Sequence, residues 1–445
     1  METKHFTPPL YSSYANTKSP ETTREMRLRH EFKQSVNQEL YHANPLNEEE
    51  YRNICDLFRP VLWLMALQGL FHPSHRATTS AIPVEHRYSP LSRWIMMALS
   101  LCNVCYMFAN FVLLLAARPN VQLTSFYTNT YVILLVWLAT AVILAALQFL
   151  ICERSTRYDR IWEKWAYWAR HPRKRNWKRM RVIRNIYILL AVAIAVTPTV
   201  IVAVIMSRNR PGSGLEELLT LVTHGDRVVS HNWWTINFCI VAFSVFGTLS
   251  FTSVFFVTHC LVLADELRDL FHRISDQLDS GRIWDVVKEE KEEVSVLEQL
   301  RRRRLECRDI VGAVDGAFEE TAFFFIFANV PLIVFISYGL VSYGTQSEFR
   351  KAMGVIALLG SLLQVLVVTI VAAWVHEWIH NYLKVTRVNA LSMELFLSEL
   401  TSESVGITAW AFAVITKEFI ATVVGLAVSY IIVLVEFRHL AGCFT

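Results

Sequence analysis

Seven apolar runs, each long enough to cross a lipid bilayer, constrain this chain more than any other feature. They cover residues 93–117, 127–151, 185–206, 234–264, 321–344, 354–378 and 414–437. A helix needs about 20 apolar residues to cross roughly 30 Å of hydrocarbon, and every run meets that length. Lipid offers no hydrogen-bond partners, so helices that satisfy their own backbones are expected: the fold class is an all-α membrane protein with seven transmembrane helices. Composition agrees, since only 18% of residues are charged and the mean hydropathy is +0.32. A soluble domain carries about 25% charged residues. The net charge of +4 is too small to point to a nucleic-acid partner. An eighth apolar stretch, 60–71, is too short to span and predicts a re-entrant or interfacial helix before span one. The first 58 residues lack the apolar core of a secretory signal, so span one is expected to direct insertion.

Orientation follows from where Lys and Arg sit, because they concentrate in short cytoplasmic loops. The segment from Cys152 to Arg184 carries twelve, including Arg173-Lys174-Arg175. The loop after span one has only Arg118. Loops after even-numbered spans are therefore expected inside, together with the amino terminus and its Arg24, Arg27, Arg29 and Lys33. Seven spans then place the carboxyl terminus outside. This is the inverse of a G-protein-coupled receptor.

Two of the inner segments read as helices. Trp162, Trp165 and Trp168 share one side of a helix flanked by basic residues, which predicts an interfacial belt against anionic membrane lipid. Residues 265–320 hold ten basic and sixteen acidic side chains. Within them Leu267, Leu270, Phe271 and Ile274 recur at helical spacing, so span four is expected to continue past the membrane as an amphipathic helix. Of the eight cysteines, Cys102 and Cys105 form a C-x-x-C, but inside a span, where small core residues are expected rather than a redox pair.

The last run carries the most chemistry. It ends Ser429-Tyr430-Ile431-Ile432-Val433-Leu434-Val435-Glu436-Phe437. On a helix Ser429, Val433 and Glu436 share one face, and Tyr430 and Phe437 share another. A carboxylate in a span is costly in lipid and is expected to face water or a partner.

This string resembles the closing motif of the insect gustatory receptor family: Thr-Tyr, five hydrophobic residues, then Gln-Phe. Ser429 stands in place of Thr and Glu436 in place of Gln. Upstream, Phe396-x-x-Glu399-Leu400 and Ala409-Trp410-x-Phe412-x-Val414 resemble the family's lead-in to its last span. The resemblance implies a ligand-gated, non-selective cation channel in the plasma membrane of sensory neurons, a homotetramer or a hetero-oligomer with related subunits. It assigns residues 1–59 to a cytoplasmic segment, 93–264 to a ligand-sensing bundle and 265–320 to a cytoplasmic helical layer. Residues 321–437 become anchor and pore, and 438–445 an extracellular tail. Four last helices would surround the pore, with Val433 at the hydrophobic gate and Glu436 in the polar ring, backed by Ser429 and Phe437. Rings of carboxylates favour cations, so acid is expected to reduce current by neutralising Glu436.

The family's small-molecule pocket lies in the outer half of spans two to six. Polar and aromatic residues at that depth are Tyr127, Tyr131, Trp137, Thr197, Trp233, Trp234, Asn237, Tyr338 and Tyr343. Aromatic walls with a few polar groups suit such a site. Related receptors that respond to light or peroxide supply an alternative, prompted by thirteen tryptophans.

His376-Glu377-Trp378-Ile379-His380 fits H-E-x-x-H, in which two histidines hold zinc and the glutamate is a base. It is the strongest pointer to an enzyme, an intramembrane zinc metalloprotease. No third ligand follows in a characteristic pattern, so a polar helix end with intersubunit hydrogen bonds is expected instead. No metal or other cofactor is expected.

Overall fold

A computed structural model describes residues 48–72, 90–116, 125–154, 157–169, 176–207, 231–279, 290–342, 348–388, 406–409 and 413–442. The order is α1 (Glu48–Leu67), α2 (Pro90–Ala116), α3 (Ser125–Arg154), α4 (Arg157–Trp168), α5 (Trp177–Ser207), α6 (His231–Asp279), α7 (Glu290–Ser342) and α8 (Glu348–Val388), then a two-stranded hairpin, β1 (Thr408–Ala409) and β2 (Ala413–Val414), and α9 (Lys417–Gly442). Among the described residues seven helices, α2, α3 and α5 to α9, are long and apolar enough to cross a membrane. They coincide with the seven runs of the sequence.

Helix length explains the second layer. Helices α6 and α7 contain 49 and 53 residues. At 1.5 Å per residue each reaches about 75–80 Å, more than twice the hydrocarbon thickness. The surplus continues beyond the basic end of the bundle, where α3 finishes, α5 begins and α4 lies between them. Span four thus runs on as one helix through Leu267, as its apolar spacing predicts.

Helix α1 forms the centre of the core at this basic end. The apolar stretch 60–71 begins inside a helix that starts at Glu48 and ends at Leu67. Ile54, Leu57, Phe58, Val61 and Met65 are fully buried within protein. The Phe58 ring lies 4.3 Å from His259 and 5.3 Å from Trp162, and Phe255 lies 5.4 Å from Phe318. Trp165 and Trp168, expected at the lipid boundary, are 0% and 2% exposed and pack edge to face at 5.3 Å. Protein, not lipid, covers the tryptophan face: α4 meets Phe58 of α1 and packs along α7, where Arg157 Nη1 donates to both carboxylate oxygens of Glu320 at 2.7 and 2.6 Å.

The end of α1 is a Schellman cap. Leu70 N–H donates to the Met65 carbonyl at 2.7 Å and Gly69 N–H to Ala66 at 3.0 Å. Gly69 has φ +67°, and a Cβ there would sit 2.9 Å from the Leu99 carbonyl, so only glycine fits. Gln68 then donates to the carbonyls of Phe243 and Ser244 on α6, both at 3.2 Å.

Pro60 lies inside α1 and has no N–H, so the Asp56 carbonyl one turn earlier loses its helical donor. Arg184 of α5 replaces it. Its Nη1 donates to the carbonyls of Asp56 at 2.8 Å and Leu57 at 3.0 Å, while Nη2 and Nε bond Asn185. Arg184→Ala should therefore lower the melting temperature of the purified protein. The loss should be about 2–4 kcal/mol, from charged hydrogen bonds and a carbonyl left unpaired. Restoring the helical donor with Pro60→Ala should recover part of it. Strictly additive effects of the two substitutions, measured as a double-mutant cycle, would contradict this account.

Candidate functional site

The last span is held at its foot and stands clear elsewhere. The hairpin before it pairs Thr408 with Val414 and Ala409 with Ala413, and the Ile415 amide donates to the Ile407 carbonyl at 2.9 Å. Ile407 and Ile415 are fully buried. The Asp315 carboxylate of α7 receives the Thr408 amide at 2.6 Å and its hydroxyl at 3.0 Å. A Cβ on Gly406 would collide with Val414 at 2.6 Å, so this position must be bare for the hairpin to close. Thr416 caps α9 by accepting the Phe419 amide at 3.1 Å. Lys417 completes the foot, 2.7 Å from Glu377 of α8.

Above the foot α9 has few neighbours. In its most apolar stretch 6% of residues are buried, against 67% for span four. Ala427 is buried, whereas Tyr430, Ile432 and Val433 are exposed. Ser429 and Glu436 are exposed too, so the Ser429, Val433, Glu436 face is open along its length. The Ser429 hydroxyl donates to the Gly425 carbonyl of its own helix at 2.9 Å. It therefore adds no unsatisfied donor to that face. The side chain of Phe437 lies outside the described residues.

The nine candidate ligand residues separate. Tyr131 donates to the Leu114 carbonyl at 2.9 Å and ties span two to span one. The Trp137 ring packs edge to face on Phe246 at 5.1 Å. Asn237 accepts from the Tyr106 hydroxyl at 2.6 Å and donates to Asn110 Oδ1 at 3.0 Å, and Asn110 donates to the Tyr106 carbonyl at 2.9 Å. Thr197 is exposed on α5 and Tyr338 is half-buried on α7. Tyr343 and the side chains of Tyr127, Trp233 and Trp234 lie outside the described residues. Tyr106 and Asn110 were not among the candidates. The signal for them was two polar residues one helical turn apart in span one, which need partners inside lipid.

In the HEWIH segment Glu377 is committed to Lys417, and the Trp378 ring faces His272 at 6.1 Å. A Cβ on Gly406 would approach His376 Nδ1 to 3.0 Å, which places that histidine beside the hairpin. The side chain of His380 lies outside the described residues. The partner of Glu377 belongs to the same chain. The reason is that the hairpin turns the chain back and sets Lys417 beside the end of α8.

Comparison with known proteins places this architecture. No curated protein gives a significant match. The insect olfactory receptor OR5 from Machilis hrabei, solved in complex with eugenol, has a similar fold with TM-score 0.58 at 11% identity. The match covers 87% of this chain and 100% of that one. A second structure of the same receptor gives TM-score 0.56 at 12% identity, with the same coverage. At such identity the likeness concerns the fold. The model of the 7tm chemosensory receptor family matches residues 58–439, nearly the whole described chain. This multi-pass membrane protein belongs to the 7tm chemosensory receptor family, whose members are receptors and not enzymes.

Proposed function

We propose that this chain is the subunit of a gustatory-type, ligand-gated, non-selective cation channel of the plasma membrane. Its α9 would line a central pore with those of three further subunits, identical or related. The observation that carries the reading is the bareness of α9: a span with 6% of its apolar stretch buried has few partners in its own chain. The Ser429, Val433, Glu436 face is unsuited to lipid because of its carboxylate, and suited to an aqueous pore. A ring of four Val433 side chains can narrow a pore until water leaves it, and a ring of four Glu436 carboxylates favours cations. The closing motif with Ser429, Tyr430, Glu436 and Phe437 favours a gustatory over an olfactory receptor.

The distribution of Lys and Arg supports an amino terminus inside and a carboxyl terminus outside. The basic end of the bundle is then cytoplasmic, and α9 runs outward from its foot. A small tastant would bind toward the other end, near Tyr131, Trp137 and Asn237. The neighbouring olfactory receptor was solved with eugenol, a small aromatic molecule, which supports a ligand of that class. The tryptophans that prompt a light-sensing alternative are partly accounted for by packing, since Trp165 and Trp168 are core residues.

Patch-clamp recording from cells expressing the full chain tests the pore. Val433→Asn should raise unstimulated current at least about tenfold, which corresponds to about 1.4 kcal/mol on the closed state. Glu436→Lys should shift the reversal potential away from cations, and Glu436→Gln should reduce cation selectivity. Parental selectivity in both Glu436 variants would remove the pore assignment.

Asn237 admits a separate test. As part of the Tyr106 and Asn110 network, Asn237→Leu should destabilise the protein by about 0.6–2 kcal/mol, the range for hydrogen bonds between membrane helices. Measured by thermal melting, that loss should appear without any tastant. A shifted tastant response with an unchanged melt would make Asn237 a ligand contact instead.

A further inference from the structure

Three helices end their apolar stretches around one cleft. The stretch in α5 begins at Trp177, that in α6 finishes at Asp269 and that in α8 at Ile379. Between these ends lies a cleft of about 580 Å³. Pockets that hold small molecules run roughly 300–1,000 Å³, so this one has room for a headgroup and its glycerol. It lies at the basic end, away from Tyr131, Trp137 and Asn237.

Its lining carries both signs of charge in an ordered way. Arg179 comes from the start of α5. From α6 come Asp265, Arg268 and Asp269, which share one helix face by their spacing of three and four. From α8 come Trp374 and Trp378, one turn apart, and Glu377. Met180, Ile183 and Leu261 form the apolar part of the wall. Trp374 is 46% exposed, and Ile370 one turn deeper in the same span is 38% exposed. The apolar wall of the cleft therefore continues onto the outer surface of span six.

We propose that this cleft binds a zwitterionic phospholipid. A phosphate suits Arg179 and Arg268, since guanidinium groups match phosphate geometry. An ammonium suits Asp265 and Asp269, with the Trp374 and Trp378 rings beside them, because aromatic faces attract organic cations. An acyl chain would follow Trp374 and Ile370 into the hydrocarbon. A purely anionic headgroup would meet the acidic residues, and a purely cationic one the arginines. Position selects a lipid over a cytosolic zwitterion: the apolar stretches of α5 and α8 end at the cleft, and its wall runs on to the exposed Trp374 and Ile370 of span six.

Native mass spectrometry of the full-length protein in detergent tests this. The protein is titrated with phosphatidylethanolamine, phosphatidylcholine and phosphatidylglycerol of identical acyl chains. The zwitterionic lipids should be retained about tenfold more tightly than phosphatidylglycerol, as expected for one charge-assisted hydrogen bond. Asp265→Asn with Asp269→Asn should bring the three lipids to parity, whereas Arg179→Gln with Arg268→Gln, which removes the partners of a phosphate that all three share, should weaken all three and leave the preference in place. Trp374→Leu, which leaves the charges in place, should weaken retention of all three, and it serves if a charge variant does not fold. Equal retention by the parent overturns the proposal. So does a preference that survives the aspartate substitutions, or retention that the arginine substitutions leave unchanged. Displacement of lipid by free phosphocholine or phosphoethanolamine at the same concentration overturns it in favour of a cytosolic zwitterion. The readout is binding alone, so it stands or falls apart from the pore.

Discussion

A proline within a buried helix leaves a carbonyl that must find a donor elsewhere, and here that donor is Arg184. Placing a guanidinium against protein is costly unless its hydrogens are satisfied. Asp56, Leu57 and Asn185 satisfy it, and in doing so join α1 to α5. Helix α1 packs on α4 and α6 through Phe58, which meets Trp162, Phe255 and His259, and α7 joins the same cluster through Phe318 on Phe255 and His259. The geometry of that whole end therefore depends on one backbone group that has lost its ordinary partner.

The two ends of the bundle are built differently as a result. At the basic end, long helices continue past the apolar stretches and ion pairs such as Arg157 with Glu320 and Lys164 with Asp309 join α4 to α7. Toward the other end, contacts between spans one and four run through the Tyr106, Asn110 and Asn237 amides and hydroxyl. In hydrocarbon such groups have no water to fall back on, so they are matched among themselves.

Much of this was legible in the residues, for reasons that also explain the misses. Crossing a membrane demands length and apolarity, both local properties of the chain, so all seven spans could be placed. The continuation of span four was legible because Leu267 and its neighbours keep helical spacing. Periodicity shows which face of a helix is apolar but not what covers it, and the α4 tryptophans were therefore assigned to lipid when Trp165 and Trp168 are buried within protein. The first half of α1 was missed because Glu48 to Arg59 mixes charges with apolar residues and has low overall hydropathy. Two-residue strands have no period at all, so the hairpin at 408–414 left no trace. Partners such as Asp315 for Thr408 or Lys417 for Glu377 lie 93 and 40 residues apart, beyond any local pattern.

The foot of α9 makes that helix a cantilever. It is clamped at one end by Asp315, Glu377 and two buried isoleucines, and beyond that has few contacts with the rest of its own chain. A rod held this way amplifies rotation at the clamp into displacement at its tip. Val433 lies about 24 Å along the helix from Lys417, so a tilt of about 5° there carries it about 2 Å sideways. Sub-ångström rearrangements where α7, α8 and the hairpin meet are thereby magnified toward Val433 and Glu436.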